Sequence, residues 1–277
     1  MAAIVGVHGI GKYRYYRDAG NSAGGAAEAM RIKWDRYLGA GLGGGVRPYI
    51  AEVAYFAHHL VDSPGGSAGL RKDPARAVAT MGPPAQQVFA AWAREVGFGE
   101  PITGALKKFT GWVLERLDGR AADFAALFAP EVAAYLTDQA RRERCWFEVA
   151  EVIRRRKARV VIAHSLGSVV AYEALWANPD LDVELLITLG SPLGMRNVVF
   201  EHLLPTPING RGERPKGVRH WVNISDKDDI AAIPGTLLDS FVGVDQEMRV
   251  NLDWLDFHTA EKYLGCGAIN APLQPYL

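Results

Sequence analysis

The chain is poor in cysteine. Cys145 and Cys266 are the only two in 277 residues, so no disulfide framework is available to hold the fold. An excess of charge of either sign is also missing, with 31 Lys plus Arg against 31 Asp plus Glu. A neutral balance gives no electrostatic reason to expect nucleic acid or an anionic membrane surface as a partner. The local basic clusters, Arg141-Arg142 with Arg144 and Arg154-Arg155-Arg156-Lys157, read as the solvated face of one helix. No stretch approaches the roughly 20 apolar residues of a membrane span, so stable membrane insertion is not expected. The first residues, Ala2-Ala3-Ile4-Val5-Gly6-Val7, read as a strand rather than a secretory leader, and the expected location is cytoplasmic. Repeats and low-complexity tails are absent too. What is left is ordinary for a globular protein, 49% hydrophobic and 22% charged, and long enough for one large α/β domain over 1–277.

The order of elements follows from hydrophobic pattern and turn residues. Strands are predicted at Ala3–Val7, Arg47–Phe56, Arg159–Ala163, Glu184–Leu189, Arg219–Ile224 and Asp245–Val250. A helix is predicted around Gly25–Leu38, before a Gly-rich joint at Gly39–Gly45, and the segment after Tyr13 is not a clear helix. Strands alternating with helices indicate a mostly parallel six-stranded sheet with helices on both faces. The interval 60–156 contains no convincing strand. It offers helices near Pro83–Val96, Ile102–Leu117, Ala121–Phe128 and Pro130–Arg155, the last with Pro130 at its first position. One crossover needs one helix, so this large insertion before the third strand reads as a lid, or else as helices packed on the sheet flank.

Chemistry concentrates where the third strand ends. Val160-Val161-Ile162-Ala163-His164-Ser165-Leu166-Gly167-Ser168-Val169-Val170 reads as strand, sharp turn and helix, with Ser165 at the tip and small residues on either side. A nucleophilic serine is presented in this way. The competing role is a helix N-cap. After the first strand comes His8-Gly9-Ile10-Gly11. Acyl transfer passes through an oxyanion that needs two preorganised N–H donors, and Ile10 and Leu166 are the candidates. Gly6 through Lys12 also fits most of a phosphate-binding loop, but Tyr13 stands where that loop needs Ser or Thr.

A nucleophilic serine needs a base, and the base needs an orienting carboxylate. Of seven histidines, His258 alone follows the last predicted strand, and it is the expected base. The acid is sought after the fifth strand, in Ser225-Asp226-Lys227-Asp228-Asp229-Ile230. Asp229 is preferred because it precedes an apolar stretch returning to the core, with Asp226 and Asp228 as alternatives.

Val7-His8-Gly9-Ile10-Gly11, Ala163-His164-Ser165-Leu166-Gly167-Ser168-Val169, Thr188-Leu189-Gly190-Ser191-Pro192, Trp221-Val222-Asn223 with Asp226 and Asp229, and His258 recur in order. In these segments the chain resembles the lipase-like serine esterases of the α/β-hydrolase superfamily, over about residues 1–56 and 158–265. The resemblance implies a reduced α/β-hydrolase fold and a Ser165-Asp229-His258 hydrolase of carboxylic esters, with no metal and no cofactor. It departs at Ala163, where the family's usual pattern has glycine, and in placing its insertion before the elbow. His8, Gly9, His164, Leu193 and Met195 are the expected substrate contacts. The apolar Leu193, Met195, Val198, Val199, Phe200, Leu203 and Leu204 suggest a small-molecule substrate with an acyl or other hydrophobic group. Thioesterases, peptidases and acyltransferases or cyclases use the same constellation. A nucleotide binder and a catalytically silent binding module are the alternatives of another class. The oligomeric state is left open.

Overall fold

Apolar runs closed by turn residues become strands at all six expected places. The computed structural model describes residues 2–44, 48–61, 80–97, 119–233, 235–252 and 258–277. Among these, the strands are β1 Ile4–Val7, β2 Ile50–Ala54, β3 Val160–His164, β4 Val183–Leu189, β5 Gly212–Glu213, β6 Val218–Asp226, β7 Phe241–Val242 and β8 Gln246–Val250. Six of them form one sheet in the order β2-β1-β3-β4-β6-β8, and every neighbouring pair is parallel. The two-residue strands β5 and β7 pair separately; they are too short to leave a period in the sequence. All five residues of β3 are buried, as a central parallel strand covered on both faces requires.

The pleat sends alternate side chains to two cores. Val5, Val7, Val161, Ala163, Leu186 and Trp221 join one, and Ile4, Ile50, Val160, Ile162, Ile187 and Ile224 the other. The helices are α1 Tyr13–Asp18, α2 Ala23–Gly41, α3 Pro83–Glu95, α4 Gly119–Thr137, α5 Gln139–Arg156, α6 Leu166–Ala177, α7 Ala260–Gly265 and α8 Asn270–Leu273. α2 and α7 cover the Ile4 face, and α3 to α6 cover the Val5 face. Helix and sheet come close at Gly6, where a Cβ would lie 2.7 Å from the Trp34 ring.

Several expectations need correction. The segment after Lys12 is helical, as the six-residue α1. Pro130 does not open a helix; it lies inside α4, and the break falls at Asp138. Asp138 is extended (φ −111°, ψ 98°) and its carboxylate accepts from the Arg141 N–H at 3.1 Å, so the cap outweighs the proline as the boundary. The basic face of α5 is not solvated throughout. Arg142 is buried and paired with Glu173, and it donates to the His202 carbonyl at 2.6 Å. The expected helix at Ile102–Leu117 lies outside the described residues. In its described part, the interval 60–156 is well packed: Phe89, Trp92, Phe128, Tyr135 and Val149 are fully buried. No helix among the described residues is long and apolar enough to cross a membrane.

The sheet order places β1 beside β3 where the chain's winding changes direction, because β2 lies on one side and β4 on the other. In open parallel sheets, the crevice beyond the C-terminal ends at this point is where ligands bind. The His8–Gly11 turn and the Ser165 turn both leave the sheet there.

Candidate active site

Ser165 stands between β3 and α6 with φ 57° and ψ −135°. A non-glycine residue at positive φ costs on the order of 1–3 kcal/mol and persists only where its surroundings hold it. Here the neighbours pack closely around the turn. A Cβ on Gly167 would lie 2.2 Å from the His8 carbonyl oxygen, and one on Gly9 would lie 2.4 Å from Ser165 Cβ. Ser165 occupies the N-cap position of α6, yet its side chain makes no capping hydrogen bond. Its hydroxyl is instead 2.7 Å from His258 Nε2.

The far nitrogen of the same ring, Nδ1, lies 2.8 Å from Asp229 Oδ2. With the proton on Nδ1, His258 donates to the carboxylate and accepts from the serine hydroxyl. Asp229 is buried in the turn after β6, where its other oxygen, Oδ1, accepts from the Ala231 N–H at 2.8 Å. Tyr263 of α7 donates its hydroxyl to Oδ2 at 2.7 Å and accepts from the Asp226 N–H at 2.8 Å. Gly190, at φ 53°, makes room for this carboxylate, since a Cβ there would lie 2.7 Å from Oδ2. The other aspartates have different roles. Asp226 accepts from the N–H groups of Asp228 (2.7 Å) and Leu252 and so closes the turn, and Asp228 is exposed. Gly190 belongs to the Thr188–Pro192 motif of the sequence, whereas no local pattern marks Tyr263.

His8 is wholly buried and stacks on Phe56 at 4.1 Å. Its Nδ1–H donates to the Gly9 carbonyl at 2.7 Å, and its Nε2 accepts from the Phe56 N–H at 3.1 Å. Burial drives its pKa down to about 3, so the ring is neutral at physiological pH. Both ring nitrogens are spent on backbone, which corrects the expectation that His8 touches substrate. In a trans peptide the N–H points opposite to the carbonyl. Holding the Gly9 carbonyl toward His8 therefore turns the Ile10 N–H away from it. Neither the Ile10 nor the Leu166 N–H makes a hydrogen bond to another described residue. The Gly11 N–H is engaged, with both Glu131 carboxylate oxygens at 3.0 Å. A carboxylate in that position repels phosphate, which weighs against the nucleotide-binding alternative.

The remaining expected contacts divide. His164 is buried, with neither ring nitrogen hydrogen-bonded to a described residue, and its ring lies 4.8 Å from that of His258. Burial, followed by the proximity of His258, lowers its pKa well below the ordinary value, so it too is neutral. Leu193 and Met195 are fully buried in the core on the Val5 face, with Val198, Val199 and Phe200. They are packed structure and do not form the wall of an open acyl site. From the helical interval, Phe124 of α4 meets the His258 ring edge-on at 5.0 Å, and Trp92 of α3 donates to the Ile230 carbonyl at 3.0 Å. Trp112 lies outside the described residues. Among the described residues, cavities of about 350 and 540 Å³ open away from Ser165, Asp229 and His258, which line neither. No protein-family model matches the chain, and no curated protein matches it.

Proposed function

We propose that this protein is a serine hydrolase of the α/β-hydrolase type that cleaves a carboxylic ester through an acyl-enzyme. One observation carries the reading. Ser165 Oγ, His258 and Asp229 form a continuous hydrogen-bonded chain of 2.7 and 2.8 Å, with the serine held at a positive φ. A serine that only capped a helix would have no use for a histidine oriented by a buried carboxylate. In the proposed reaction His258 takes the Ser165 proton as Oγ attacks the carbonyl carbon. Asp229 holds the ring and stabilises the imidazolium. The Ile10 and Leu166 N–H groups receive the oxyanion. His258 then protonates the leaving alcohol. Water, deprotonated by the same ring, releases the acid and frees Ser165. The two free thiols, Cys145 and Cys266, agree with the proposed cytoplasmic setting.

The experiment is labelling with a fluorophosphonate probe, followed by a panel of esters, thioesters and amides of increasing acyl length. Label on Ser165, with turnover lost in Ser165→Ala, is the expected result. Unlabelled wild-type protein, or Ser165→Ala turning over like wild type, would overturn the proposal. The ester, thioester and amide arms separate an esterase from the thioesterases and peptidases that use the same chain.

A further inference from the structure

Away from Ser165, one further group of metal-type donors comes together among the described residues. His58 and His59 lie in the 3₁₀ turn Ala57–His59, just after β2, and Glu148 projects from α5. One donor atom from each lies within 4.8 Å of the others. His59 Nε2 and Glu148 Oε1 are 3.3 Å apart. A tetrahedral ion with bonds of about 2.0–2.1 Å spaces its donors about 3.4 Å apart, so this pair already has a ligand spacing. The two imidazoles lie side by side, with centroids 3.8 Å apart and planes tilted by 39°, so both rings stand on one side of the turn. His58 Nδ1 is buried and has no hydrogen-bond partner among the described residues. The Tyr16 and Tyr55 rings lie nearly parallel to that of His58, at 11° and 5°.

We propose that His58, His59 and Glu148 bind one divalent transition-metal ion of the zinc class, with water completing a tetrahedron. Two imidazoles and a single carboxylate suit zinc, whereas calcium and magnesium require more oxygen donors. Of the nearby cations, Arg155 is already paired with Glu52 at 2.5 Å and Arg144 is exposed to solvent. With the His59–Glu148 pair at 3.3 Å, the His58 donor is the one that closes on binding, from within 4.8 Å to about 3.4 Å. The ion would clip the turn after β2 to α5. Phe56, one residue before that turn, is the backbone donor to His8, so the clip also backs the loop that carries Ile10.

This inference does not depend on the acyl-transfer reading. The full chain, stripped with a chelator, is titrated with zinc sulfate against a chromophoric chelator, and melting is followed with and without zinc. Wild type is expected to take up one equivalent and to melt higher with zinc. His59→Ala and Glu148→Gln should each weaken binding about 100-fold or more and abolish the melting shift. His258→Ala should bind like wild type, which separates this site from the histidine beside Ser165. X-ray absorption of the zinc-loaded wild type should show nitrogen and oxygen ligands and no sulfur, a test that stands even if a variant fails to fold. Equal affinity in wild type and both ligand variants, loss of binding in His258→Ala, or a sulfur shell would each overturn the proposal.

Discussion

The Tyr263 hydroxyl donates to Asp229 Oδ2, at 2.7 Å, the same oxygen that faces His258 Nδ1 at 2.8 Å. One carboxylate oxygen thus holds two donors from the C-terminal part of the chain. In the proposed reaction Tyr263 touches no reacting atom and serves as a positioning residue. Removing its hydroxyl leaves Asp229 less fixed, with the Oδ2 charge facing His258 alone, and also orphans the Asp226 N–H. Tyr263→Phe is expected to lower kcat/KM about 10-fold, equivalent to about 1.4 kcal/mol, and to move the acidic limb of the pH–rate profile upward. Stopped assays from pH 5 to 9 on the folded variant check both effects. A loss of stability with an unmoved limb would reduce Tyr263 to packing.

The aspartates of the turn after β6 should separate sharply. Asp229→Asn removes the acceptor that selects the His258 tautomer, and should cost on the order of 10³–10⁴ in kcat. Asp226 serves backbone N–H groups, so Asp226→Asn is expected to lower the denaturation midpoint while keeping most activity. Turnover and urea melts of the two variants, measured side by side, test the assignment.

Close approach makes the elbow glycines intolerant. At Gly167 an added methyl meets the carbonyl oxygens of His8 (2.2 Å) and Val7 (2.6 Å), which are backbone atoms that cannot swing aside. Gly167→Ala is expected to destabilise the fold by about 3 kcal/mol, at the upper end for an overpacked site. Gly9→Ala meets Ser165 itself, so it should suppress phosphonate labelling even in whatever fraction folds. Circular dichroism melts alongside labelling separate the two effects.

Acid should weaken the fold through His8. Its pKa lies near 3 in the folded chain and near 6.5 when exposed, so the unfolded form binds the extra proton between those values. Stability from this group is complete above pH 6.5 and falls as the pH drops below it, by up to about 1.4 kcal/mol per pH unit. Urea midpoints at pH 7.0, 5.5 and 4.5 should decline in wild type. His8→Asn, which cannot titrate, should be weaker at pH 7 and show a shallower decline.

The strands were legible because parallel central strands are written as unbroken apolar runs, and the turn after β3 because a serine closes such a run. His258 could be sought by chain order alone, and Asp229 by chain order together with the apolar stretch that follows it. Other features depend on partners distant in sequence. Arg142 reads as surface from its basic neighbours and is turned inward only by Glu173, 31 residues away. Leu193 and Met195 read as acyl contacts because an apolar loop and an apolar core have the same composition. His59 and Glu148 are separated by 89 residues, so no local pattern announces their meeting. Pro130 misled because a proline is tolerated inside a helix when tertiary packing holds the turns on either side.

The all-parallel order has a kinetic consequence. His258 lies 93 residues from Ser165 and 29 from Asp229, and the loops that bring the three together leave strands spread across the sheet. Parallel pairing closes long loops before its contacts repay that entropy, so it forms slowly. Helices such as α2 and α5 can form from local contacts within microseconds, long before β1, β3 and β6 lie in register. During refolding, the far-ultraviolet signal therefore returns first. Any reactivity of Ser165 that relies on His258 returns last and acts as a clock for completion of the whole sheet.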